Sequence, residues 1–158
     1  MLPLLLLVGS GLFGGLEGAP SNADLEGQLF AAVFRQQKVE LLDQEARAQG
    51  IVLCLAIDPG GAPQSLTAEA LKALSLGPSV RRGAECEVRR SRAVEIASKR
   101  TAIVVTVGPI DWVKADEAWV TVTQTWSVSK SFRHPYRVVL EPDGTWSSLG
   151  PILKDGPA

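Results

Sequence analysis

The spacing of apolar positions changes twice along this 158-residue chain, and each change marks a different kind of element. From Asp24 to about residue 48, Leu25, Leu29, Val33 and Phe34 recur at helical spacing, while Phe30, Leu41 and Leu42 broaden the stripe. This pattern predicts one long amphipathic helix, stopped by Gly50. The next run, IVLCLAI (Ile51 to Ile57), is apolar at every position, as in a strand buried on both faces. Asp58-Pro59-Gly60-Gly61 closes it with a turn. LTAEALKALSL (residues 66–76) predicts a second, shorter helix, with Thr67 as its N-cap and Gly77-Pro78 as its stop.

From residue 84 the period becomes two. Strands are expected at 85–90, 93–97, 101–107, 117–129, 136–140 and 145–149, with Lys114 to Asp116 as one connection and Glu141-Pro142-Asp143-Gly144 as a tight turn. Helix, strand, helix and then a run of strands is the order of an α+β fold. A long N-terminal helix and a short second helix would pack on a curved, mostly antiparallel sheet. Helices do not alternate with the later strands, which excludes a doubly wound arrangement.

Strand parity divides the stretch from Trp119 to Trp146, which holds three of the four tryptophans, the only histidine and the only tyrosine. Ala118, Val120, Val122, Trp126, Val128 and Phe132 share one face, interrupted by Gln124 and Lys130, and are expected in the core. Trp119, Thr121, Thr123, Thr125, Ser127 and Ser129 share the other. Threonine is an ordinary strand former, so this second face is expected to be solvated, with Trp119 left to cover a sheet edge or meet a partner.

The first residues stand apart. Leu2 to Leu16 are apolar or small, and no charged side chain precedes Glu17. At about 15 residues the stretch is shorter than the ~20 that span a bilayer as a helix, and it matches the apolar region of a secretory signal. Ser21-Asn22-Ala23 supplies small residues for cleavage, so residues 1–23 are expected to be a signal peptide and 24–158 a single domain, secreted or periplasmic. The only basic group before the apolar run is the terminal amine, which leaves a retained anchor or a misassigned start as alternatives. With 46% hydrophobic and 21% charged residues, a folded core rather than disorder is expected. Cys54 and Cys86 fit a disulfide in an oxidising compartment, although Cys54 would also serve as a buried thiol within its apolar run. Neither belongs to a CxxC pair, so redox and zinc readings have no support.

Candidate chemistry is sparse. A sole histidine, His134, excludes a multi-histidine metal site. Ser127, Ser129, Ser131 and Asp111 could formally join it in a triad, yet there is no G-x-S-x-G elbow, and SFRHPY reads as a surface loop. Asp111, beside Trp112, is the candidate general acid or base, with His134 as its companion. Gly60-Gly61 lacks the spacing and the following lysine of a phosphate loop, and no cofactor is implied. The formal net charge is −1, but Arg81, Arg82, Arg89, Arg90, Arg92, Lys99 and Arg100 crowd one segment against Glu85, Glu87 and Glu95. Arg89, Arg90 and Arg92 are therefore candidates for an anionic ligand or a protein partner. Aromatics do not interleave with this run, which argues against nucleic acid.

LFAAVFRQQ, VLCLAIDPG, GAEC, VGPIDWVKADEAWV and YRVVLEPDGTW together resemble small uncharacterised secreted bacterial domains of NTF2-like or cystatin-like architecture, in which a long helix is cradled by a bent antiparallel sheet. The resemblance implies a cone-shaped shell that houses a pocket enzyme or serves only to bind or dimerise. It bears on fold more than on function. The expectation is an exported, non-catalytic binding or interaction domain, active alone or as a homodimer. The alternatives are a small hydrolase or isomerase using Asp111 and His134, or an inhibitor or immunity-like partner of another secreted protein.

Overall fold

The computed structural model describes residues 22–43 and 50–153. Helix α1 (Asn22–Lys38) continues into a widened, π-type turn, Val39–Asp43. The end of the expected helix, 44–49, and nearly all of the expected leader, 1–21, lie outside the described residues. Asp24 in the first turn of α1 and Arg35 and Lys38 in the last complement the helix dipole. Among the described residues no helix is long and apolar enough to cross a membrane.

Strand β1 (Val52–Ile57) is followed by β2 (Gln64–Ser65), then α2 (Ala68–Leu74), β3 (Val80–Arg82), β4 (Cys86–Val88) and β5 (Ala93–Glu95). Four long strands complete the chain: β6 (Thr101–Lys114), β7 (Glu117–Ser127), β8 (Lys130–Leu140) and β9 (Trp146–Pro151). One sheet runs β2-β1-β6-β7-β8-β9, with β3 also on β1 and the β4–β5 hairpin joined to the start of β6. The pairings of β1 with β3 and β6 are parallel and the others antiparallel. The fold is α+β with a mostly antiparallel sheet.

The turns follow their sequence chemistry. The Asp58 carboxylate accepts from the amides of Gly60 and Gly61 at 2.9 and 3.0 Å. Thr67 caps α2 by accepting from the Ala70 amide at 3.0 Å, and Ser75 ends the helix in the left-handed region, two residues before the expected stop.

The core forms where α1 meets the sheet. Leu29, Val33 and Phe34 are wholly buried against Leu53 and Leu55 of β1, Ile103, Val105 and Val107 of β6, Val120 of β7 and Val138 of β8. The other face of β1 is closed as well. Val52 and Cys54 pack with Ala93, Ala102 and Cys86, so every side chain from Val52 to Ala56 is buried, as the unbroken apolar run implies. Cys54 and Cys86 lie at disulfide distance, with Cα atoms 6.4 Å apart, and fasten the β4–β5 hairpin to the central strand.

Two expectations about strands are corrected. Strand β6 does not stop at residue 107. Gly108 and Pro109 form a bulge between the Val107–Val122 and Ile110–Val120 pairs, and the strand resumes to Lys114. SFRHPY is not a loop either, because the whole segment pairs with β7 inside β8. The reversal comes earlier, at Val128 and Ser129, where the Ser127 hydroxyl accepts from the Lys130 amide at 3.1 Å. Val128 therefore sits at a turn and is 69% exposed, and Phe132, next to that turn, is 47% exposed, so neither joins the core. Trp126 is half-buried against the core, with Lys130 over its ring.

Gly108 has φ +117°, and a Cβ there would lie 2.1 Å from the Asp58 carbonyl oxygen. Gly108→Ala is expected to lower stability by about 2 kcal/mol or more, read as a lower urea midpoint. An unchanged midpoint would show that β1 and β6 do not approach so closely. Replacing both cysteines by alanine removes a crosslink between residues 32 apart in sequence. The loss expected from loop entropy is about 3–4 kcal/mol, and the same loss should follow reduction of the native protein.

Candidate functional site

The sheet separates the two candidate catalytic residues. Asp111 on β6 stands directly opposite Trp119 on β7, whereas His134 on β8 stands opposite Val122. Residues paired across antiparallel strands share a face, and positions 119 and 122 of one strand face opposite sides. Asp111 and His134 are thus exposed on different faces and do not meet.

What Asp111 does join is a row across three strands. Trp119 is paired on its other side with Arg137, whose guanidinium donates to both carboxylate oxygens of Glu117 at 2.9 and 3.2 Å. That guanidinium holds the Glu117 carboxyl below the usual carboxylate range. Trp119 is 39% exposed, on the polar face that parity assigns to it. The row is a partly exposed indole between charged groups, and its one close ion pair is already satisfied within the molecule.

The arginine-rich segment is also largely self-satisfied. Arg81 donates to Glu95 at 2.6 Å, Arg82 lies 3.4 Å from Glu85, and Arg89 donates to Glu87 at 2.8 Å. Glu95 is buried, and its carboxyl is held low first by the Ser98 hydroxyl at 2.6 Å and then by Arg81. Arg92 reaches Thr101 Oγ1 at 2.5 Å, and Arg100 reaches the Gly50 carbonyl at 3.1 Å. Arg90 is exposed in the bend between β4 and β5. The hairpin is tied down further by the Val128 amide, which donates to the Arg89 carbonyl at 3.0 Å. The segment brings Arg89, Arg90 and Arg92 to one hairpin end, but much of its charge closes the fold.

Beneath α1 lies a polar cluster that sequence reading did not assemble. Gln37 is wholly buried, accepts from the Gln124 side chain at 2.6 Å and donates to Glu40 at 3.4 Å. Glu40 also accepts from the Tyr136 hydroxyl at 3.2 Å, and the Ser148 hydroxyl donates to Gln36. Gln124 was visible as a polar break in the apolar face of β7. Its partner was not, because Gln37 lies 87 residues away in the chain. Nearby, the Trp126 indole nitrogen is buried with no hydrogen-bond partner among the described residues.

A groove of about 790 Å³ lies between α1, α2 and the turn into β9. Asp24, Gly27, Gln28, Ala31 and Arg35 form one helical stripe along its α1 wall, above the rings of Phe30 and Phe34. Ile57, Leu66, Ala70, Ala73 and Leu74 form the opposite side, and Gly144, Thr145 and Trp146 close the end. Trp146 is held edge-on by Trp112 with ring centroids 5.7 Å apart. Neither Asp111 nor His134 lines the groove. The signal available in the sequence was the second stripe of α1, which is too polar and small-sided to be core.

No family model, curated protein or solved structure matches the chain.

Tyr136 offers a direct check on the polar cluster. Burial, together with the negative charge of Glu40, pushes its hydroxyl up to about 12. The neutral phenol is therefore the form the fold favours. This contribution is complete below the ordinary tyrosine value of about 10 and is lost as pH rises towards 12. As the chain has one tyrosine, phenolate absorbance reads this group alone. The midpoint is expected near 12 in the folded protein and lower in Glu40→Gln. A folded-state midpoint near 10 would mean that the hydroxyl is solvated.

Proposed function

We propose that the chain is an exported, non-catalytic binding domain that holds an apolar ligand in the groove between α1, α2 and the turn into β9. The observation that carries this reading is the groove itself. Its volume lies within the range of about 300–1,000 Å³ common to small-molecule sites, and its walls are mainly aromatic and aliphatic with a few polar groups at the rim. Catalysis receives no comparable support, because the candidate acid and the histidine lie on opposite faces of the sheet and neither lines this groove. Export rests on the apolar leader and on a cysteine pair suited to an oxidising compartment. We read the architecture as NTF2-like or cystatin-like in shape, on the grounds that a long N-terminal helix packs across a large, mostly antiparallel sheet.

The neutral fluorescent probe N-phenylnaphthylamine tests this reading, since it brightens when it leaves water for an apolar site. The protein is expected to bind it saturably. Ala73→Trp, which fills the groove from an exposed position on α2, should weaken binding at least about ten-fold, equivalent to losing roughly 1.4 kcal/mol, with melting behaviour unchanged. Saturable binding that persists in this variant would place the ligand elsewhere, and no binding would remove the groove as a ligand site.

A further inference from the structure

Resting on the groove reading above, we propose that the ligand is a single-chain anionic amphiphile, such as a long-chain carboxylate, with its head group at Arg35 and its tail along α1.

The charge distribution along the groove carries the assignment. Of the two cations in the last turn of α1, Lys38 is tied to Asp43 at 3.4 Å, whereas Arg35 is exposed, lines the groove and makes no ion pair with a described residue. A guanidinium in that position presents a planar pair of donors that matches a carboxylate. Asp24 stands at the other end of the same stripe, eleven residues earlier, or about 16 Å along a helix rising 1.5 Å per residue. Among the described residues that line the groove the one cation therefore stands at one end of the stripe, which gives an anionic ligand a direction.

Shape supports a slender tail. Gly27 and Ala31 on the α1 side and Ala70 and Ala73 on the α2 side carry nothing beyond a Cβ, which leaves room for a chain to lie along the groove. Phe34 and Trp146 supply the apolar floor and the closed end. A flexible hydrocarbon would cover these side chains over the length of the stripe. The site is open along one side, so entry needs no rearrangement of the core.

The test is displacement of bound N-phenylnaphthylamine at neutral pH and low salt by dodecanoate, dodecanol and dodecyltrimethylammonium, each below its micellar concentration. Dodecanoate is expected to displace the probe at about five-fold lower concentration than dodecanol, the upper range for a partly exposed ion pair, with the ammonium the weakest. Arg35→Gln should erase the advantage of the carboxylate while leaving dodecanol unchanged, and Arg35→Glu should reverse the order of acid and ammonium. Equal potency of the three in the native protein, or an acid preference that survives Arg35→Gln, would overturn the head-group assignment while leaving the apolar groove standing. Failure of the neutral probe and of dodecanol to bind at all would overturn both.

Discussion

The seating of α1 on the sheet is the contact on which the rest depends. Leu29, Val33 and Phe34 are wholly buried on it, and each side chain of this kind contributes roughly 1.5–3 kcal/mol when removed from water. Apolar burial sets the rotation of the helix about its axis only coarsely, because the apolar stripe is broad. The directional bonds below it set it more closely. Gln37 reaches Gln124 of the sheet in only one rotation, and the Ser148–Gln36 and Tyr136–Glu40 bonds repeat the constraint at two more points. A buried network whose polar atoms would otherwise go unpaired makes neighbouring rotations expensive. With that rotation set, the stripe from Asp24 to Arg35 is carried round to the groove.

Much of this fold was legible in the sequence, and what was missed has a physical pattern. The period of 3.6 located α1, the unbroken apolar run of Ile51–Ile57 located the doubly buried strand, and the period of two located the later strands. Elements failed where a backbone device overrides a residue's usual meaning. Gly108-Pro109 reads as a strand terminator, yet it is absorbed as a bulge because the glycine takes a positive φ beside Asp58, and the proline falls where pairing is already interrupted. SFRHPY reads as a loop because it is polar and contains proline. Its partner strand nevertheless continues, and Pro135 is accommodated opposite Thr121 within the ladder. Parity then misplaced Val128 and Phe132, since it was carried through a reversal at Val128 and Ser129 that carries no glycine or proline to announce it.

The candidate site was less legible, for a different reason. Sequence reading ranks residues by intrinsic chemistry, so it chose the lone histidine, an acid beside an indole and a crowd of arginines. Charge crowding in a chain does not show whether the charges answer one another. Arg81, Arg82 and Arg89 each meet a glutamate within hydrogen-bonding or ion-pair range, and Glu95 in particular is buried with its partners, so this charge closes the β3–β5 region more than it advertises a surface. The groove draws on residues whose individual chemistry is bland, such as Ala31, Ala70 and Ala73. Their meaning comes from α1 and α2 lining one groove, a long-range fact that no local window contains.

These two lessons converge on α1. One face of the helix packs into the core, and an adjacent stripe carries the only cation among the described residues of the groove wall at one end and an acid at the other. Gly27 and Ala31 stand between those charges. Gly27 has open space where a Cβ would stand, so its lack of a side chain is not forced by crowding. Glycine within a helix costs about 1 kcal/mol relative to alanine. The helix carries that cost at a position that lines the groove and leaves it open, which is the outcome expected if the groove is there to be occupied.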